Sequence, residues 1–448
     1  MMIRKLINTS PIPVLIAILC LVSYSCSKTN ADTLEAETIE ITTSDIPLFW
    51  ETYDQIIQTP DRGAQERVFQ SNYLDEGSDG VKGLVAARRY TAAEYVDAIN
   101  SYPIFWESVR ANTEDVNRFA HELRDGVSKF EALYPDMKDA RIFFSIGALR
   151  TNGTIYGGDV LIGAELALAD SNTPTGEFPE TLGHLPAYFS TNPKANIVAL
   201  NIHEFIHTQQ SGSGGYDLLS QALYEGVAEF LPTLALGLPS ASEAVSYGQN
   251  NADAVRDAFE KDMFQPWFYN WIWNSPDNPF GVRDLGYYTG YAMAERYYNQ
   301  SNDKAAAVKA LIELDYQDQV SVWELVDASG YFSKPLLQLE AEFEARRPRV
   351  IDYVTTKANP SETDIELTVT FSQQMDERFR STDFGPLGKE HYPEIKSITF
   401  DEYGLNATYV LGVQPGVSYQ MKIDLGFRTF ESMPLIPKLI EFSVPDAD

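Results

Sequence analysis

NIVALNIHEFIHTQQ, residues Asn196 to Gln210, is the stretch on which the reading of this chain turns. Its apolar residues recur at three- and four-residue spacing, the period of an amphipathic helix. Residues four apart on a helix share one face, one turn apart, so His203 and His207 present both imidazoles to a single point. Glu204 projects beside them. Two imidazoles with a carboxylate at hand form a donor set for one divalent cation, and zinc suits that set. The chain holds five histidines in 448 residues. An HExxH arises by chance in on the order of a few such sequences per thousand.

Hydrolytic chemistry at such a site needs a third protein ligand and one open position. An HExxHxxGxxH arrangement is excluded, because Gln210 stands where its glycine belongs and Ser213 where its third histidine belongs. A cysteine ligand is excluded as well, since Cys20 and Cys26 both lie near the N terminus. Glu225 follows His207 by eighteen residues, in YEGVAEFL, a second helical segment after the glycine-rich loop Ser211 to Gly215. Antiparallel helices joined by such a loop bring this carboxylate to the two histidines. Glu229 and Asp217 are the alternatives.

HEFIH followed by YEGVAEF resembles the gluzincin metallopeptidases, in which a glutamate on the next helix, often within E-G-x-A, completes the zinc site. The resemblance implies that Glu229, four residues on, hydrogen-bonds the outer nitrogen of a ligating histidine. It also implies an edge strand above the motif helix that holds an extended peptide, with Asp159 to Leu166 as the local candidate. The mechanism it implies has zinc polarising the scissile carbonyl and Glu204 acting as general base, then returning the proton to the departing amine. An oxyanion donor must come from elsewhere. His121 and His184 precede the motif and His391 lies far beyond it, so tyrosine is the remaining type. In LGYYTGYAMAERYY, Leu285 to Tyr298, Tyr287 is the first candidate, with Tyr288 and Tyr291 behind it. Gly286 and Gly290 in the same segment allow close backbone approach to a neighbour. The aromatic run PWFYNWIWN, Pro266 to Asn274, is expected either in the core or along a substrate pocket.

The rest of the chain frames this segment. Arg4 and Lys5 precede an apolar run, Val14 to Val22, too short to span a bilayer, so residues 1–26 read as a signal peptide. Cys26 after Ser25 resembles the lipid-attachment site of bacterial lipoproteins, although Ser23 stands where that pattern prefers an apolar residue. It implies a membrane anchor at Cys26 and a place in the bacterial cell envelope, periplasmic or surface-exposed. Residues 27–44 are polar and acidic, as expected of a flexible linker. A formal net charge of -30 opposes binding to nucleic acid or anionic headgroups.

Helical periodicity then governs residues 45–346, as in Ile46 to Ile57, Ala92 to Ile99, Glu114 to Leu133 and Ala195 to Gln209, with breaks expected at Pro232, Pro266, Pro276 and Pro279. Arg141 to Leu168 instead reads as strands with a turn around Asn152 and Gly153. Residues 349–448 alternate apolar and polar with period two, the pattern of a small β-sandwich. Within it, TFSQQMD, Thr370 to Asp376, is similar to a signature of bacterial Ig-like modules. That similarity implies a spacer or a surface for an envelope protein partner.

Phe49 and Trp50, HEFIHTQQ, YEGVAEF and GYYTGY together are similar to a group of predicted zinc-protease lipoproteins, distantly related to gliding-motility lipoproteins. The expected architecture is thus mostly α with a small β-sheet, a gluzincin-like zincin of α+β class, followed by an all-β Ig-like sandwich. The expected function is an envelope-anchored zinc metallopeptidase acting on a peptide or protein. The alternative is a zinc-binding envelope scaffold without catalysis.

Overall fold

The computed structural model describes residues 39–356 and 364–445. The signal segment, Cys26 and most of the expected linker lie outside them. Among the described residues the fold mixes α-helices with three small sheets, the strands numbered in chain order. The first sheet holds β1 (Ile41–Thr42), β2 (Ile142–Ser145), β3 (Gly153–Tyr156) and β4 (Asp159–Gly163) in the order β1-β2-β4-β3. β1, β2 and β4 run parallel, and β3 returns antiparallel along β4.

Three expectations change here. Residues read as linker enter the fold: Ile39 is buried and Ile41 pairs with Ile142, because alternate apolar residues let even this acidic stretch add a strand. The hairpin turn is Gly157–Gly158, both at positive φ, as a two-residue turn requires. Asn152 and Gly153 are therefore not the turn; Gly153 opens β3. The edge strand is in turn β3, and β4, proposed as the edge, lies inside the sheet and ends at Gly163, where a short helix, Ala164–Ala167, follows.

Helices cover both faces of this sheet, which explains why all four residues of β2 are buried. On one face the helix Asp79–Arg88 approaches so closely that a Cβ on Gly80 would lie 2.4 Å from the Phe143 side chain. The motif helix, Ile197–Gln209, covers the other face at β3 and β4. Phe49 and Trp50 are core residues, their rings 5.1 Å apart and Phe49 5.2 Å from Trp106. Among the described residues no helix is long and apolar enough to cross a membrane.

Three helices meet at the motif. The ligand helix, Leu218–Leu236, starts where the Asp217 carboxylate accepts the Ser220 N–H at 2.8 Å and ends at Gly237 in the left-handed region. It runs through Pro232, a position read as a break. Pro232 is buried among flanking apolar residues, and that packing outweighs the missing N–H. The tyrosine helix, Leu285–Gln300, crosses it at Gly226 and Gly290, where a Cβ on Gly226 would lie 2.0 Å from the Gly290 carbonyl carbon.

Beyond the helix Leu336–Arg346 the described residues form seven strands in two sheets. β5 (Val350–Thr355), β6 (Asp364–Phe371), β9 (Asn406–Gly412) and β8 (Glu394–Phe400) form one, in that order. β11 (Lys438–Ser443), β10 (Ser418–Ile423) and β7 (Thr382–Phe384) form the other. Their inward residues, among them Leu367, Tyr409, Met421 and Ile440, share one core separate from that of the helical body.

Candidate metal centre

His203 and His207 lie one turn apart with their Nε2 atoms 3.1 Å from each other. A Glu225 oxygen stands 3.5 Å from the first and 3.3 Å from the second. The three groups offer ligand atoms within 4.8 Å of one another, in a largely buried position. Asp217 is spent as a helix cap, and Glu229 faces the far side of an imidazole, so of the three acids considered only Glu225 stands beside both Nε2 atoms.

The outer nitrogens decide what the inner ones can do. His203 Nδ1 faces a Glu229 carboxylate oxygen at 3.2 Å, an acceptor, so Nδ1 carries the proton. The other Glu229 oxygen accepts from Ser240 Oγ. His207 Nδ1 faces Gln210 Oε1 at 2.6 Å. That amide is oriented by its own donations, from Nε2 to the Tyr224 carbonyl at 2.9 Å and to Tyr316 Oη at 3.0 Å, while the Tyr316 hydroxyl donates to the Leu311 carbonyl. Each imidazole in its neutral form therefore turns an Nε2 lone pair toward its neighbour and toward a carboxylate. Three electron-rich atoms converging in a buried space call for a cation, and the donor set is one that a metal ion fits.

The electrostatics agree. Burial disfavours charge on His203, yet the carboxylates of Glu225 and Glu229 outweigh it and push its pKa up to about 10. Burial likewise opposes ionisation of Glu225, but His207 and His203 outweigh it and hold the carboxyl well below its usual range. The second Glu225 oxygen accepts from Gln221 Nε2 at 3.1 Å. The Tyr224 ring stacks on His207 with centroids 4.5 Å apart, closing that side against water.

Glu204 is half-buried under β3. A Cβ on Gly153 would lie 3.0 Å from Glu204 Cγ, so a larger residue there would have to push the Glu204 side chain aside by a few tenths of an ångström. Along β3, the Gly163 N–H donates to the Asn152 carbonyl, which sets the alternation of the hairpin. The backbone groups of Gly153 and Ile155 consequently face away from β4, toward the sheet edge.

The three candidate tyrosines separate clearly. Tyr287 stacks on the His203 ring at 6.0 Å, and its hydroxyl accepts from Trp273 Nε1 at 3.2 Å. Burial first, then Glu225 and Asp284, raise its pKa well above the ordinary value, keeping the phenol protonated. Tyr288 is packed where Gly248 leaves room for its ring, and Tyr291 meets Phe230 edge-on at 5.4 Å. Both are buried in the core, and of the three only Tyr287 has its ring against a histidine.

Two contributors were missed from the sequence. Gln210 was read only as the absence of a glycine, although its place three residues after His207 puts it within one helical turn of that imidazole. Tyr188 carries a buried hydroxyl without a hydrogen-bond partner. Burial raises its pKa well above the ordinary value, the nearby Asn152 side chain opposes this, and Glu165 and Glu204 raise it further. No motif in the sequence marks it.

The chain matches no family model and no curated protein. Among solved structures it aligns with the S-layer protein rSbsC(31-844) at 17% identity, over 63% of this chain and 44% of that one, with a TM-score of 0.18. It aligns with the N-terminal part of the bacterial S-layer protein SbsC at 13% identity, over 90% of this chain and 77% of that one, also at a TM-score of 0.18. The chain thus spans less than half the length of the first, and likeness at that TM-score carries no argument.

Proposed function

We propose that this chain is a zinc-dependent peptidase of the gluzincin type, anchored to the bacterial cell envelope through Cys26. The observation that carries the reading is the convergence of His203, His207 and Glu225 with Glu204 adjacent in sequence and lying under an edge strand. Zinc bound there supplies Lewis acidity to a carbonyl and acidifies water.

The chain's own groups do the rest. Glu204 accepts the proton of the attacking water and delivers it to the leaving amine. Tyr287, held protonated, donates a hydrogen bond to the oxygen that gains charge. Glu229 and Gln210 hold the two imidazoles in the tautomer whose Nε2 lone pairs point inward. The outward Gly153 N–H and the backbone groups of Ile155 suit an extended peptide pairing along β3, beside Glu204, while the Gly153 carbonyl already accepts from Thr151 Oγ1 at 2.6 Å.

The test is cleavage of a broad peptide library by the wild type and by Glu204→Gln, with metal content measured on both. Cleavage by the wild type alone, with zinc retained in both, is expected. Identical product patterns from the two proteins would sink the reading.

A further inference from the structure

The aromatic run Pro266 to Asn274 lies between the two halves of the chain, and each end holds something different. At one end Trp267 and Tyr269 grip a residue of the β-sandwich. The Arg428 guanidinium lies 4.7 Å from the Trp267 ring centre, 5.1 Å from that of Tyr269 and 3.3 Å from that of Phe379. Arg428 Nη1 also donates to the Tyr269 hydroxyl, and that hydroxyl lies 3.3 Å from Ser432 Oγ. Arg428 is 8% exposed, so this is a buried cation enclosed by aromatic faces, an arrangement stronger than the same contact in water.

At the other end, Trp273 donates its indole N–H to the Tyr287 hydroxyl at 3.2 Å. Trp273 follows Tyr269 by four positions, and a tight turn joins them, with the Trp271 and Ile272 N–H groups both donating to the Phe268 carbonyl at 2.8 Å. Trp271 fixes the turn to the tyrosine helix, since its carbonyl accepts the Gly286 N–H at 2.8 Å. It fixes it to the preceding helix too, its indole donating to Asp262 at 2.9 Å.

Trp273 itself sits at φ 56°, in the left-handed region that a bulky residue avoids, and the residue is 59% exposed. Neither burial nor backbone preference accounts for a tryptophan there. The strain persists because both flanks of the turn are pinned, and its result is an indole N–H aimed at the phenol beside His203.

We infer that the β-sandwich is part of the positioning machinery of the metal centre: Arg428 anchors the turn whose Trp273 sets the direction of the Tyr287 hydroxyl. Trp273 and Arg428 are positioning residues. The consequence for turnover rests on the peptidase reading of Tyr287, whereas the mechanical link does not.

The experiment places 3-fluorotyrosine at position 287 of the full chain and follows its fluorine resonance in Trp273→Phe, Tyr269→Phe, Arg428→Gln and Arg428→Lys, alongside kcat and KM. Tyr269→Phe keeps the ring and removes one hydroxyl, so it carries the test if Arg428→Gln does not fold. Trp273→Phe is expected to move the resonance, Tyr269→Phe and Arg428→Gln to move it in the same sense, and Arg428→Lys to restore most of the wild-type position. Turnover falls several-fold in the same order, through kcat with KM little changed. A resonance unmoved in folded Tyr269→Phe and Arg428→Gln would overturn the inference. Movement of the resonance in a chain that hydrolyses no peptide supports the link and defeats the peptidase reading.

Discussion

Gln210 Oε1 lies 2.6 Å from His207 Nδ1, and the same amide donates to Tyr224 and Tyr316, so one side chain ties the end of the motif helix to the ligand helix and to the segment after Leu314. Replacing Gln210 with Leu keeps the volume and removes the acceptor that fixes the His207 tautomer. Zinc affinity is predicted to fall roughly 10- to 100-fold, measured by competition with a chromogenic chelator. Unchanged affinity would show that His207 needs no such support.

Tyr287 has both an orientation and a protonation state suited to donation. Tyr287→Phe is predicted to lower kcat by on the order of a hundredfold, with KM and zinc content little altered. Steady-state kinetics against metal content check this, and wild-type turnover would remove Tyr287 from the mechanism.

Backbone proximity at Gly226 and Gly290 sets where the ligand helix stands relative to Tyr287. A methyl at position 226 has rigid backbone in its way, so the helices must separate. Gly226→Ala is predicted to destabilise the chain by on the order of 3 kcal/mol, read from urea denaturation. A loss under about 0.5 kcal/mol, the usual size for an unconstrained surface position, would show the helices free to part.

Glu165 is fully buried and accepts N–H groups from Gly147 at 2.8 Å and Leu149 at 3.2 Å. Burial raises its pKa from 4.5 to about 7, those N–H bonds only partly opposing it. The folded state binds this proton more tightly than the unfolded state. Its contribution to stability is thus fully present below about 4.5 and lost as pH rises through about 7. Glu165→Gln is predicted to flatten the fall of the thermal midpoint across that window. A slope equal to the wild type's would assign the pH dependence to other groups.

The candidate metal ligands are legible in the sequence because they sit on two adjacent helices, where spacing converts into geometry without knowledge of the tertiary fold. His203, His207 and Glu225 are legible for that reason, and Glu229 follows one turn beyond. What spacing does not reveal is which element arrives from elsewhere. Gly153 meets Glu204 only because the β3–β4 hairpin turns at Gly157–Gly158, and reading the turn five residues too early moved the edge from β3 to β4. Ile39 and Ile41 were hidden in an acidic stretch whose composition outvoted its alternation.

The period-two pattern after Pro348 announced a C-terminal β region, since each strand there buries one face. Its attachment to the helical body was invisible. Arg428 reads as one basic residue among many until the aromatic faces of Trp267 and Tyr269 are placed around it. Tyrosines illustrate the same limit: Tyr287, Tyr288 and Tyr291 are equivalent as letters, and only the crossing at Gly290 decides which one reaches His203.

The most direct test of the central claim is zinc stoichiometry with X-ray absorption at the zinc edge, on the wild type and on Glu225→Ala. The account predicts one zinc per chain with nitrogen and oxygen ligands at about 2.0–2.2 Å and no sulfur, and loss of one such ligand together with most of the affinity in the variant. Zinc bound equally well, in an unchanged coordination shell, by Glu225→Ala and by a chain lacking both His203 and His207 would contradict it.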